Sequence, residues 1–353
     1  MDDSSLDIPM MAPDVVATLE RTHVNFRATP KLRPLFAYQL VVPKTWAFSE
    51  SFGPVPEGPF AAQGIGFFSG SVESDTAVIA VTVTAIPFEV PIDTWMRLTF
   101  AAEGWTIISA KWFPGAGGLF FDVTGMRGRD GSEEIRRTSA RADGSHLFSV
   151  NCLASRRNWD QAKKSFWIAH DSFRLQKPTD IGQMEPRLLA LGSNPDFEVV
   201  HPISWSAAPV EHAPEGISAV DIRLLNARHD TLLAYAQVKV QRLEEGEAIP
   251  PVDRLAGKAL EKLAAFGFMA SGAPGPLTDE NDPRGAAAEG WLAGFRVDGH
   301  LTSSDATARL GFAQRDGFLV SWLVVSPTIH DDLLVALRAQ RVFEIARATL
   351  RFA

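Results

Sequence analysis

Cysteine is nearly absent. The chain holds one, Cys152, inside the apolar run "HLFSVNCLAS". A single thiol cannot close an intramolecular disulfide, which fits a reducing compartment. No neighbour in sequence marks it for a lowered pKa, so it reads as a small core residue. Tyrosine is also scarce, with 2 against 23 Phe and 9 Trp. No run approaches the roughly 18 apolar residues that crossing a bilayer requires. The opening "MDDSSLDIPMMAPD" is acidic and lacks an apolar segment, so no secretory signal is expected and the expected location is the cytoplasm. Positive charge is in deficit, at 34 Lys and Arg against 42 Asp and Glu, for a net charge of −8. The basic stretches "SARADG" and "SRRNWDQAKK" are short and interrupted by acids, which argues against a nucleic-acid partner.

Chemistry-bearing motifs are missing as well. No two of the eight histidines lie closer than 11 residues, so no short-spaced metal-ligand pair exists. His170 sits beside Asp171 and reads as a surface position on a helix. "GIGFFSG" lacks the Gly-x-Ser-x-Gly order of a hydrolase elbow. Gly257-Lys258 lacks the upstream glycine of a phosphate loop and falls inside a helical pattern. "GAGG" (115–118) joins two strand patterns and has no dinucleotide-binding context. "TDENDPRG" (278–285) lacks the alternating ligands of a calcium loop and reads as a solvated loop. No catalytic, cofactor or metal residue is expected.

What is present is repetition. At 353 residues, with 46% hydrophobic and 22% charged residues, the chain suits two globular domains. "FAYQLVVPKTW" (36–46) finds an echo in "FEVVHPISW" (197–205), and "SDTAVIAVTVTAI" (74–86) in "HDTLLAYAQVKVQRL" (229–243). The latter pair alternates as half-buried strands do. A helix follows each: "VPIDTWMRLTFAAEGW", with Asp93 as the N-cap and Gly104 as the stop, and "PPVDRLAGKALEKLAAFGF", stopped by Gly267. Its apolar stripe is Val252, Leu255, Ala259, Leu260, Leu263 and Ala264. Strand patterns resume, with Asp143-Gly144 and Asp316-Gly317 at matching hairpin turns. Each half closes on a helix, and the endings "IAHDSFRL" (168–175) and "IARATLRF" (345–352) nearly coincide. The second copy has six more residues before that ending, so its terminal helix is expected to be longer.

These patterns give an α+β chain of two tandem α/β sandwich domains, each a mainly antiparallel sheet flanked by helices. The expected layout is an N-terminal extension (1–35), a first domain (36–175), a linker (176–196) and a second domain (197–353). A short helix is expected near "DVVATLERTH". The element order, with Pro and Trp after the first strand and a final helix running into "SFRL", resembles the PsbP-like superfamily in tandem. That superfamily includes extrinsic photosystem proteins, a Ran-binding nuclear import factor and the Eag-type chaperones of bacterial type VI secretion. The Eag-type resemblance implies a homodimer-like clamp shielding apolar helices of a client.

The resulting expectation is a non-catalytic protein-binding protein, a secretion-associated chaperone or adaptor, with no cofactor and a polypeptide partner. An enzyme or small-ligand binder with a pocket between sheet and helices stays open, as does a structural homo-oligomer. "KWFPGAGGLFF" sets Trp112 and Phe113 against a turn, where burial within one domain is difficult. With Trp95 and Phe120 they form the expected partner-binding set.

Overall fold

The computed structural model describes residues 19–352 apart from 32, 51–56, 59, 73–74, 116–117, 130, 180, 182, 227–230, 245, 278–289 and 302–303. The acidic loop at 278–285 and most of the expected N-terminal helix lie outside the described residues; Leu19–Thr22 are helical.

Two units emerge. The first takes in residues up to Pro87 together with Ile92–Met184; the second takes in Phe88–Pro91 together with residues from Glu185 onward. In chain order the first unit contains β1 (His23–Ala28), β2 (Tyr38–Pro43), β3 (Ala47–Ser49), β4 (Gln63–Val72), β5 (Asp75–Ala85), α1 (Ile92–Ala102), β6 (Thr106–Gly115), β7 (Gly118–Arg129), β8 (Ser132–Asp143), β9 (His146–Ser155), α2 (Arg156–Ser172) and β10 (Arg174–Leu175). The second contains β11 (Arg187–Gly192), β12 (Phe197–Pro202), β13 (Ser206–Pro209), β14 (Ile217–Leu225), β15 (Leu232–Arg242), α3 (Val252–Ala265), β16 (Phe268–Ala270), β17 (Gly275–Pro276), β18 (Trp291–Leu301), β19 (Ser304–Arg315), β20 (Phe318–Pro327), α4 (Leu333–Thr349) and β21 (Arg351–Phe352).

The fold is α+β, with every described strand pair antiparallel. The large sheet of the first unit runs β3-β4-β5-β9-β8-β7-β6 and its small sheet β1-β2-β10. The second unit repeats that order as β13-β14-β15-β20-β19-β18-β16 and β11-β12-β21, with β17 added beside β18. One face of each large sheet carries the main core under the terminal helix, and the other carries a smaller one under α1 or α3. Ile79, Val81 and Val83 of β5 pack with Ala162, Phe166 and Ala169 of α2. Ala236, Val238 and Val240 of β15 pack with Ala339, Val342 and Phe343 of α4. Cys152 is buried in the first of these cores.

The near-identical endings have a shared physical cause. The Ser172 hydroxyl accepts the Val41 N–H (2.8 Å) and donates to the Ile168 carbonyl (2.6 Å). The Thr349 hydroxyl accepts the Val200 N–H (3.1 Å) and donates to the Ile345 carbonyl (2.8 Å). Each thereby ties the last helical turn to the middle of a small sheet, and after one intervening residue the next two add the short third strand to it. Removing the hydroxyl leaves a backbone donor without its partner, in a buried place at Val41 and a part-buried one at Val200. We expect Ser172→Ala and Thr349→Val each to cost about 1–3 kcal/mol in urea unfolding, with Ser172→Ala the larger because its site is fully buried.

Local signals explain several stops. Gly104 and Gly267 end their helices at φ of +75° and +89°, where a side chain would be strained. Asp316 and Gly317 form a two-residue turn with both φ positive. In the first unit the turn slips by one residue, because Asp143 stays paired with His146 while its carboxylate accepts the Thr179 N–H and hydroxyl (3.0 and 2.9 Å).

Other expectations fail. The segment expected as an N-terminal extension contains β1, which pairs along the whole of β2. The expected linker contains β11, which pairs along β12. The second terminal helix is no longer than the first, at 17 residues each. The extra residues instead form a turn in which the Thr328 hydroxyl bonds the Asp331 carboxylate (2.7 Å), and Asp332 caps α4 by accepting the Val335 N–H. Asp93 falls within the first turn of α1, where a carboxylate favours the helix dipole without capping. The buried side of α1 is Ile92, Trp95, Met96, Thr99 and Phe100. On α3 it is Ala256 and Leu263 that are buried, and Ala264 is exposed.

β4 shows why "GIGFFSG" resisted reading as a strand. Its glycines are permissive and weaken any strand signal. A Cβ at Gly66 would meet the Tyr38 hydroxyl, and one at Gly70 the Trp46 ring. The strand exists because distant aromatics lie over it.

The second unit also buries a charge. Glu89, 2% exposed, accepts from the guanidinium groups of Arg187 (2.7 Å) and Arg341 (3.1 Å). Its N–H donates to the Glu185 carboxylate (2.8 Å), and Arg338 lies 4.1 Å over the Phe88 ring.

Candidate functional site

A sheet of seven or eight strands is wider than one helix can cover. In the first unit α1 lies over β6, β7 and β8. It does so on the face opposite α2, with Phe100 filling the space left by Gly125. Among the described residues no helix lies over the rest of that face, formed by β4, β5 and β9. Register fixes which residues it shows. Phe67 stands opposite Ala80 and Ser69 opposite Val78. Val78 faces Leu153, Ala80 faces Asn151 and Thr82 faces Ser149. Phe67 is 36% exposed, and Val78, Ala80, Thr82, Asn151 and Leu153 are half-buried.

A chain of polar groups borders this apolar strip. The Asn151 amide donates to the Thr82 hydroxyl (3.0 Å), and its oxygen accepts from the Thr138 hydroxyl (2.9 Å) and from Arg136 (2.8 Å). Arg136 continues to Glu103 through an ion pair and lies 4.8 Å over the Phe100 ring. Burial lowers the Arg136 pKa, and the Glu103 charge opposes that shift. Every polar group of the border is thus engaged, so the strip offers area without an unmet hydrogen bond.

The second unit places different chemistry on the same frame. Counting from the β5–β9 and β15–β20 pairings, Val78, Ala80 and Thr82 correspond to Tyr235, Gln237 and Lys239. Phe67 corresponds to Asp221. The Tyr235 hydroxyl and the Gln237 amide both donate to the Asp221 carboxylate (2.6 and 2.8 Å), which also pairs with Arg223 (3.0 Å). Burial and the Asp221 charge push the Tyr235 pKa well up, while burial and nearby Lys262 and Lys258 draw that of Lys239 down. One face is apolar; its counterpart is a closed polar network.

His170 corrects the surface reading. It is buried on the opposite, core face, with Nδ1 2.5 Å from the Ser139 hydroxyl. Its Nε2 has no hydrogen-bond partner. Burial, with Arg137 nearby, holds its pKa well below the ordinary value. Arg137 in turn bonds the buried Asp122 carboxylate (2.9 Å). Burial also raises the Cys152 thiol, which makes it a poor nucleophile. No substrate can reach this cluster, so it is a structural feature of the core. Among the described residues no group of three His, Cys, Asp or Glu is placed to hold a metal ion.

The expected aromatic set does not form one surface. Trp95 is 4% exposed and packs edge-on against Phe60 (5.0 Å). Phe120 is 1% exposed and belongs to the core. Burial removes both from any contact. Trp112 and Phe113 are half-buried and point to opposite sides of β6, one against Phe121 (5.1 Å) and the other stacked on Phe120 (5.8 Å). The strip on β4, β5 and β9 went unseen in the sequence. Its one signal was the outward half of the β5 alternation.

No family model and no curated protein matches the chain. Solved structures do align with it. The cyanobacterial PsbP of Synechocystis sp. PCC 6803 is 17% identical, over 44% of this chain and 92% of that one, with a TM-score of 0.33. The apo immunity protein TplEi of the type VI system of Pseudomonas aeruginosa is 12% identical, over 89% and 94%, at 0.24. The Tle4-Tli4 complex contributes a chain 10% identical, over 89% and 94%, at 0.23. Superpositions this loose carry no inference about activity or partner. Among the described residues no helix is long and apolar enough to cross a membrane.

Proposed function

We propose that this chain is a non-catalytic protein-binding protein that receives an apolar segment of a client polypeptide on the open face of its first unit. The observation that carries the proposal is the strip Phe67, Val78, Ala80 and Leu153, left uncovered beside a satisfied polar border. Its counterpart in the second unit is closed by its own hydrogen bonds. A strand pleat with small residues at Ala80 and Thr82 gives a shallow trough, and an amphipathic helix presents the matching apolar stripe. The narrower role of a secretion-associated chaperone or adaptor, shielding such a segment until its delivery, rests on the same face.

A labelled amphipathic Leu/Ala helical peptide supplies the test, read by fluorescence anisotropy. Phe67→Glu with Ala80→Arg should weaken binding by tenfold or more, since each places a charge where apolar area is buried. Asp221→Ala with Gln237→Ala, on the second unit, should leave it unchanged. Equal affinity for all three proteins, or no binding by the unaltered chain, overturns the reading.

A further inference from the structure

We propose that a second copy of this chain pairs with it along β11, strand to strand and antiparallel, about a two-fold axis at Leu189. Among the described strands, β11 is the outer strand of the small sheet of the second unit, bonded to β12 along one edge. Which backbone groups face outward follows from one bond. The Ile203 N–H donates to the Pro186 carbonyl (2.9 Å), so 186 and 203 form a bonded pair. In an antiparallel ladder bonded pairs alternate with unbonded ones. Leu188, Ala190 and Gly192 therefore bond β12. The N–H and C=O groups of Arg187, Leu189 and Leu191 point to the open edge.

The side chains agree. Ala190 packs into the core, and a Cβ at Gly192 would meet the Phe197 ring. Leu189 and Leu191 point the other way and are 54% and 57% exposed. Such an edge invites pairing unless something blunts it. The first unit contains its own control. β1 occupies the same place, and each strand begins opposite a proline, His23 with Pro43 and Arg187 with Pro202. At the positions of Leu189 and Leu191, β1 carries Asn25 and Arg27. One edge is guarded with polar and charged residues, and the other presents leucine twice.

The edge also fits itself. A two-fold at Leu189 sets Leu189 against Leu189 of the second copy, and Arg187 against its Leu191. All three outward residues then bond in both directions. The single charge of the strand, Arg187, meets no like charge, and it already has Glu89 as its counterion. A foreign strand would have to reproduce this spacing of leucine and arginine, whereas a second copy supplies it by symmetry.

Sedimentation equilibrium of the full chain tests the inference. The unaltered protein should show twice the chain mass of 38.5 kDa. Leu189→Lys with Leu191→Lys should return it to one chain mass, with an unchanged circular-dichroism spectrum because both positions are exposed. Leu189→Cys should form a disulfide-linked dimer under mild oxidation, and Asn25→Cys, at the guarded edge, should not. A single-chain mass at all concentrations overturns the pairing. So does a dimer that survives the two lysines, and so does β11 protected in hydrogen exchange only when a different protein is bound. The peptide-binding test reads the other unit, so either idea can fail while the other stands.

Discussion

Glu89→Ala will destabilise the second unit by about 3 kcal/mol, the low end of what removing one partner of a buried ion pair costs. The guanidinium groups of Arg187 and Arg341 converge on its carboxylate, and its backbone N–H donates to Glu185. Losing the carboxylate takes from Arg187 the acid it pairs with and leaves Arg341 with Glu344. Two cations then lie close together in a poorly solvated place. Their side chains keep 22% and 14% exposure, so water recovers part of the loss. The exposed pair Arg156–Glu133 gives the comparison: Glu133→Ala should change stability by less than about 1 kcal/mol. Urea titration followed by hydrogen exchange resolves the peptides of the two units. A Glu89→Ala protein as stable as its parent would show that the pair adds nothing over its desolvation cost.

The second large effect is acid sensitivity of the first unit. His170 is buried and neutral in the fold, its pKa held below 6.5 by burial and by Arg137. At pH above 6.5 both folded and unfolded chains carry it uncharged, and it adds no pH dependence. Below 6.5 the unfolded chain takes up a proton that the folded one refuses. Stability therefore falls with pH by about 1.4 kcal/mol per unit, until the depressed folded pKa is reached. His170→Gln removes this titration while retaining a polar group for Ser139. Its decline from pH 7 to 5.5 should be shallower than the parent's, the remaining slope coming from His23 and His146, whose pKa values burial also lowers. Parallel pH curves for the two proteins would sink the argument.

What the sequence disclosed was whatever local pattern decides. β5 and β15 alternate, Gly104 and Gly267 stop helices, and the repeated ending marks a serine and a threonine with one task. What it concealed was set at a distance. β4 is a strand because Tyr38 and Trp46 need its missing side chains. β11 reads "RLLALG", as apt for a helical turn as for a strand, and only β12 across the turn decides. His170 looked solvent-facing because its charge-bearing neighbours, Arg137 and Asp122, arrive from other strands. The open strip suffered in the same way. Val78, Ala80 and Thr82 are visible as one side of an alternating strand, but only the placement of α1 over β6 to β8 leaves that side bare.

The side chains of the open strip and of its polar counterpart hang from β5 and β15, strands whose reverse side packs against the terminal helix. Recognition and folding are thereby written on alternate letters of the same word. Exchanging Phe67, Val78, Ala80 and Thr82 with Asp221, Tyr235, Gln237 and Lys239 would, on the proposed function, move the binding strip to the other half of the polypeptide while leaving the fully buried positions of both strands as they are. A lineage, or a designer, can retune such a surface at little risk to the scaffold beneath.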